Sequence, residues 1–94
     1  MSEHSRFRLI QMETALRRRG LSETVLDDDG NAKNCWLDVE TPEHFMVFRW
    51  LDDGYEVDVS DLKGNVEFQI QKGASVDVVL DALVEQKIVP AAQG

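Results

Sequence analysis

The chain has 94 residues, 43% of them hydrophobic, and its ten lysines and arginines against eighteen aspartates and glutamates give a net charge of −8. The length predicts one domain, because two halves would each be too small to bury an adequate core. The composition excludes a membrane-spanning helix, since no run of about 18 apolar residues occurs.

The beginning of the chain and its cysteine content bear on the cellular compartment. The first residues, MSEHSRFRLIQ, are polar and lack the apolar segment of a secretory signal peptide. The single cysteine, Cys35, cannot form an internal disulfide, which agrees with a reducing compartment. We therefore expect a cytoplasmic protein that forms one domain over residues 1–94 and has flexible ends at residues 1–4 and 90–94.

The first predicted element is an amphipathic helix from Ser5 to Arg19. Leu9, Met12 and Leu16 recur at helical spacing, and Ile10 widens the apolar stripe that they form. The helix is expected to pack this stripe against the rest of the domain.

Charge is distributed unevenly along the chain. Residues 1–20 carry five arginines against two glutamates, whereas residues 21–94 carry five basic against sixteen acidic side chains. Three of the arginines, Arg17 to Arg19, precede Gly20 in the last helical turn, where cations complement the helix dipole and glycine ends the helix. The triplet is either such a complement or a functional basic patch.

Residues 22–33 follow and predict a short edge strand or a loop. Val25 and Leu26 favour the strand, and the turn DDDGN follows them. This turn does not have the spacing of a calcium-binding EF-hand. With Gly30 in the glycine position of that loop, Val25 and Trp36 would stand where its first and last ligands belong.

Alternating apolar and polar residues then predict an antiparallel meander of four strands, with residues 22–33 as a fifth in one interpretation. Residues 34–40 form the first of these runs, and proline breaks it at Thr41-Pro42-Glu43. The stretch from Phe45 to Lys72 holds the other runs, which are separated by glycine-bearing turns. A C-terminal helix from Val76 to about Lys87, with Ser75 as N-cap, completes the predicted elements.

The loop chosen for each hairpin decides which side chains share a face of the sheet. A three-residue loop Asp52-Asp53-Gly54 would place Leu51 opposite Tyr55. A three-residue loop after Glu40 and a two-residue turn at Lys63-Gly64 give three further predicted pairs. These are Glu40 with His44, Val59 with Phe68, and Val57 with Ile70.

These registers predict one apolar and one polar side of the sheet. The apolar side would carry Cys35, Leu37, Val39, Phe45, Val47, Leu51, Tyr55, Val57, Val59, Val66, Phe68 and Ile70, with Arg49 as its one charge. Both helices can cover it, so the predicted fold is an α+β two-layer sandwich, a meander sheet with an N-terminal and a C-terminal helix on one face.

The opposite side would carry an aromatic cluster within an acidic surface. Large apolar side chains surrounded by carboxylates are typical of a binding hot spot, so we predict a partner-binding site here. Its residues are Trp36, Met46, Phe48 and Trp50, with Asp38, Glu40, Glu56 and Asp58 at the rim. Three alternatives remain: residues 21–33 cover the cluster, one of the helices crosses to that side and covers it, or a two-residue turn at Asp53-Gly54 moves Phe48 and Trp50 to the apolar side.

The sequence offers little for catalysis. Its only histidines are His4 and His44, no His/Cys pair has metal-ligand spacing, and no phosphate-binding glycine loop or nucleophile motif occurs. We expect neither an enzyme nor a cofactor nor a metal site.

The predicted function is a small acidic binding or inhibitory module that blocks a basic, nucleic-acid-handling protein. Carboxylates would steer it to such a partner, and the acidic body disfavours binding to nucleic acid itself. In size, charge and predicted architecture the chain resembles bacterial toxin-immunity proteins and phage-encoded inhibitors of host defence such as anti-CRISPR proteins. The alternative is a structural or assembly subunit that forms homodimers or larger homo-oligomers through the aromatic sheet face.

Overall fold

The computed structural model describes residues 2–30, 35–51 and 53–91, without the side chains of residues 2–4 and 72. The elements, in chain order, are α1 Ser2–Arg17, β1 Thr24–Asp28, β2 Cys35–Glu40, β3 His44–Leu51, β4 Gly54–Asp61, β5 Val66–Ala74 and α2 Val76–Glu85. No helix in these ranges is long and apolar enough to cross a membrane. The predicted flexible ends include residues 1 and 92–94, which lie outside the described residues.

The strands form one antiparallel meander in the order β1-β2-β3-β4-β5. Helix α1 lies against β1, β2 and β3, while α2 lies against β4 and β5. The buried residues of both helices and of the sheet form a single apolar cluster. The predicted α+β fold is therefore confirmed, with residues 24–28 as a fifth strand.

Helix α1 closes and helix α2 begins as their sequences indicate. Helix α1 closes with the two hydrogen bonds of a Schellman motif, from Leu21 N–H to the Leu16 carbonyl at 3.2 Å and from Gly20 N–H to the Arg17 carbonyl at 3.0 Å. Gly20 takes a φ of 92°, which glycine adopts without strain. Helix α2 begins at its predicted N-cap, where the Ser75 hydroxyl accepts a hydrogen bond from Val78 N–H.

The two faces of strand β3 are exchanged relative to the prediction. Leu51 pairs with Gly54 and Trp50 with Tyr55, so the predicted pairing of Leu51 with Tyr55 is wrong by one residue. On its other side β3 pairs Glu40 with Phe45 rather than with His44. Because side chains alternate between the two faces, each slip exchanges the faces of β3.

The turn before β3 explains one of these slips. Thr41 N–H donates to the His44 carbonyl at 2.9 Å, and the Thr41 hydroxyl accepts from His44 N–H at 3.0 Å. This closes a turn with Pro42 and Glu43 at its centre, and proline is favoured at the first central position because its φ is already suitable. The proline that breaks the strand thus also sets a shorter loop than the one predicted.

Close packing of two backbones explains the slip after β3. Gly54 is buried as the first residue of β4, and a Cβ at that position would lie 2.5 Å from the Gly73 carbonyl carbon. Gly54 does not take a positive φ, so its role is to permit this contact and not to form the turn. The glycine belongs to the strand, which leaves a two-residue connection.

The registers of β4 with β5 are confirmed for Val59 with Phe68 and for Val57 with Ile70. Their connection is a three-residue loop and not the predicted two-residue turn. Asp61 N–H donates to the Asn65 carbonyl at 2.9 Å, and Gly64 takes a φ of 92°. An irregularity between Val59 and Ser60 compensates for the additional loop residue, which restores the predicted pairs.

Tyr55 joins α1 to the sheet near the end of the β3–β4 hairpin. Its ring is almost fully buried, and its hydroxyl donates a hydrogen bond to the carbonyl of Arg8. Burial raises the pKa of Tyr55 to about 12, although the nearby Arg8 guanidinium acts in the opposite direction. The neutral phenol is therefore the form that the fold favours.

Replacing Gly54 by alanine should destabilise the fold by about 1–3 kcal/mol, because the new methyl group must push apart two packed backbones. Urea unfolding measures the loss, and Asp53→Ala, an exposed change in the same connection, provides the matched control. A Gly54→Ala protein as stable as the control would show that the close contact with Gly73 is absent.

Alkaline titration tests the environment of Tyr55, which is the only tyrosine in the chain. Its phenolate absorbance should appear with a midpoint of about 12 rather than at the ordinary value of 10.0. Because the folded-state pKa is raised, this group's contribution to stability is fully present below 10.0 and is lost as the pH rises toward about 12. Tyr55→Phe should remove this pH dependence and cost about 1 kcal/mol at neutral pH. A midpoint near the ordinary value in the folded protein would contradict the burial.

Candidate protein-binding face

The side of the sheet opposite the helices receives residues from all five strands, and we call it the outer sheet face. The strand pairings place its members on one side of the sheet. They are Val25, Asp27, Trp36, Asp38, Glu40, Phe45, Val47, Arg49, Leu51, Glu56, Asp58, Ser60, Val66 and Gln69. Neither α1 nor α2 packs on this side, because the buried residues of both helices join the apolar cluster on the other side.

Five of the eight residues predicted for partner binding lie on the outer sheet face. They are Trp36, Asp38, Glu40, Glu56 and Asp58. Strands β2 and β4 therefore present the sides that the sequence predicted. Trp36 is partly exposed, and its indole N–H donates to the Asp38 carboxylate at 3.3 Å.

The other three predicted residues lie on the opposite side. Met46 and Phe48 are fully buried in the core, so their predicted exposure is wrong. Trp50 is half-buried on the same side, where its ring meets Tyr55 edge-on at 4.9 Å and the Arg8 guanidinium lies 5.0 Å from its centre. All three belong to β3, and its inverted pairing is the physical reason for the error.

The inversion also brings side chains of β3 that were predicted as core onto the outer sheet face. Phe45 and Val47 are partly exposed there, and Val25 of β1 is 58% exposed on the same face. The signal that could have identified them is the threonine-proline pair before β3, which favours the shorter turn. Arg49 and Leu51, predicted on the apolar side, are likewise on the outer sheet face. Val66 of β5 was also predicted on the apolar side, and the irregularity after Val59 places it opposite Ser60 on the outer sheet face.

One continuous row crosses the whole outer sheet face. Val25, Asp38, Val47, Asp58 and Gln69 occupy successive strands, each directly opposite the next. Apolar and acidic side chains alternate along this row, and neighbours on adjacent strands are about 5 Å apart. A partner docking here would meet apolar and anionic groups together.

Arg49 partly neutralises the acidic groups of β4. Its guanidinium lies 3.8 Å from the Glu56 carboxylate and 3.4 Å from that of Asp58. Gln69 also donates to Asp58 at 2.8 Å. Among the described side chains, the outer sheet face carries five carboxylates and one cation, Arg49, so the net charge of these groups is negative.

Asp38 is the carboxyl group that this environment perturbs. Partial burial raises the pKa of Asp38 above 3.8, the Trp36 hydrogen bond lowers it, Asp27 raises it further and Arg49 lowers it. The net effect is a raised pKa, so the ionised carboxylate of Asp38 makes the folded chain less stable at neutral pH. A cationic group of a partner placed beside Asp38 would offset this loss of stability.

The described side chains show no arrangement for a metal. Within residues 5–30, 35–51 and 53–91, no three or more His, Cys, Asp or Glu side chains are grouped to hold an ion. The outer sheet face is thus described by its charges and its apolar groups alone.

Comparison of the chain with protein-family models, with curated proteins and with solved structures gives no significant match. The proposals below therefore depend on the geometry and chemistry of the chain itself.

Asp38→Asn should raise the melting temperature at neutral pH, because it removes an ionised group whose pKa the fold raises. The gain should vanish as the pH falls below 3.8, where the native carboxyl is also neutral. Thermal unfolding followed by circular dichroism across this pH range measures both effects.

Asp61→Asn provides a control with the same chemical change and the opposite sign. Hydrogen bonds from the Asn65 side chain and backbone lower the pKa of Asp61, so its contribution to stability is present above 3.8 and is lost as the pH falls. This variant should melt at a lower temperature than the native chain at neutral pH. Equal shifts for the two variants would contradict the assigned environments.

Proposed function

We propose that this chain is a small acidic binding or inhibitory module, and that it occupies a basic, nucleic-acid-handling protein through its outer sheet face. The observation that carries the proposal is a sheet face without a helix layer, on which five carboxylates surround partly exposed apolar side chains. Aromatic anchors within a charged rim are the usual composition of a protein interface that binds tightly.

The charge of the face selects the class of partner. A surface with five carboxylates and one guanidinium repels phosphate backbones and attracts cationic surfaces, which speeds association with basic proteins. Proteins that handle nucleic acids have such cationic surfaces, because they neutralise phosphates with lysine and arginine. An array of carboxylates on a rigid sheet can occupy the same groups and so exclude the nucleic acid.

The dimensions of the face indicate how strongly it can bind. Five strands about 4.8 Å apart and eight residues that each rise about 3.3 Å give an area of about 500 Å². A standard interface buries about 800 Å² on each partner, so a tight complex would have to include the rim of the sheet as well. Leu51, 40% exposed at the end of β3, lies at that rim.

The apolar anchor is tested by Trp36→Ala, which should weaken binding to a partner at least tenfold while leaving the fold intact, because a partly exposed side chain contributes little to the core. Leu62→Ala, also a large exposed apolar residue but in the β4–β5 loop, is the matched control. The measurement is affinity purification from the source cell with mass spectrometry, followed by binding kinetics with the purified partner.

Charge reversal tests the carboxylates in the same assay. Asp38→Lys with Glu40→Lys should slow association at low salt, whereas Asp81→Lys with Glu85→Lys makes the same charge change on exposed positions of α2. The proposal predicts a basic partner that is retained by both controls and lost by both outer-face variants. Partners bound equally by all four variants, or partners that are not basic, would contradict it.

A further inference from the structure

The side of α1 that faces away from the sheet exposes two large apolar side chains. Phe7 is 57% exposed and Ile10 is 41% exposed, so the predicted place of Ile10 in the buried stripe is wrong. The exposed positions Gln11, Thr14 and Arg18 share this side of the helix with them. We call these five residues the outer helix side.

The charges that the described side chains contribute to the outer helix side are positive. Arg18 lies on it and Arg6 borders it, and neither makes an ion pair with the described residues. The described side chains of this side include no carboxylate; Glu13 faces the sheet, where it accepts a hydrogen bond from Thr24 at 2.7 Å. The helix therefore presents two apolar side chains in a cationic setting, which is how amphipathic helices bind acidic grooves and faces.

The outer sheet face and the outer helix side are complementary to each other in charge. The outer sheet face is acidic with partly exposed Trp36, Phe45 and Val47, and the outer helix side is basic with exposed Phe7 and Ile10. They lie on opposite sides of the molecule, because α1 packs on one face of the sheet and the outer sheet face is the other. One copy cannot bring them together, whereas two copies can.

We propose that the chain associates head to tail, with the outer helix side of one copy docked on the outer sheet face of the next. Each contact would add a helix layer to the uncovered side of a sheet, which is the ordinary way in which sheets are buried. The contact joins two different surfaces, so every added copy leaves one of each unoccupied and assembly can continue.

The dimensions agree with this arrangement and set its strength. Helix α1 has 16 residues, which makes it about 24 Å long. The outer sheet face extends about 26 Å along its strands. A contact about 10 Å wide would bury about 240 Å² on each copy, which is small for an interface and predicts weak association. The attraction between opposite charges should also make it sensitive to salt.

The inference rests on the proposed function in one respect, since both use the outer sheet face as a docking surface. A second copy bound there would occupy the face that a basic partner needs. At high concentration, self-association would thus prevent the protein from binding its partner. Dilution would dissociate the copies and expose the outer sheet face again.

Sedimentation of the full chain at high micromolar concentration tests the proposal. The mean mass should exceed that of a monomer at an ionic strength of about 0.1 M, where the net charge of −8 is screened beyond about 10 Å, and fall to that of a monomer at about 1 M, where the Debye length is about 3 Å. Phe7→Glu with Arg18→Glu removes the outer helix side, and Trp36→Ala with Asp38→Lys removes the outer sheet face. Each variant alone should be a monomer.

The decisive sample is an equimolar mixture of the two variants. One retains the sheet face and the other the helix side, so they should form a one-to-one complex that grows no further. Val78→Glu with Lys87→Glu, the same change of charge on one exposed position of α2 and one exposed position just after it, should associate like the native chain. Circular dichroism melting confirms that each variant is folded.

Several results would overturn the inference. A native chain that stays monomeric at the lower ionic strength, a mixture that stays monomeric, or a dimer formed by either variant alone would each contradict head-to-tail contact. The variant without the outer helix side still has the sheet face, so its capture of the basic partner reports on the proposed function separately. The sedimentation result can therefore contradict self-association while capture of the basic partner supports the proposed function. The two experiments can also give the opposite combination.

Discussion

The contact of Gly54 with the backbone of Gly73 determines much of what this protein presents to its surroundings. It admits Gly54 into β4 directly opposite Leu51, and this pairing decides the side on which each residue of β3 lies. Phe48 and Met46 therefore fill the core, while Phe45, Val47 and Arg49 lie on the outer sheet face. One more residue in the connection would exchange the two sets and move Met46 and Phe48 out of the core.

The sheet and helix α1 each have apolar side chains on the side that faces the core and on the side that faces outward. The sheet buries Leu37, Phe48 and Val57 beneath the helices and leaves Trp36 and Val47 partly exposed on its other side. Helix α1 likewise packs Leu9, Met12 and Leu16 inward and exposes Phe7 and Ile10 outward. Charge is also divided between the two layers, because arginines are concentrated on α1 and carboxylates on the outer sheet face. The proposed binding surfaces are the places where these outward sets remain uncovered.

Much of the fold could be predicted from local patterns. The helices follow from their apolar spacing and caps, and the meander follows from alternation and turn residues. The correct faces of β2 and β4, and of β5 apart from Val66, follow from their own periodicity. Strand β3 could not be placed in this way, because FMVFRWL is apolar at almost every position and alternation alone does not distinguish its two faces. Its orientation depends on two loop lengths, one set by a proline and the other by a contact with β5 that is remote in sequence. For this reason, five of the eight predicted binding residues are on the outer sheet face and the three from β3 are not.

The pairing of β3 with β4 is the claim on which the core, the outer sheet face and both proposals depend. Nuclear magnetic resonance of the folded chain tests it directly through cross-strand Overhauser contacts between backbone protons. We predict contacts that follow the pairs Trp50 with Tyr55 and Phe48 with Val57. Contacts that instead follow Leu51 with Tyr55 and Arg49 with Val57 would return Phe48 and Trp50 to the outer surface and contradict the account.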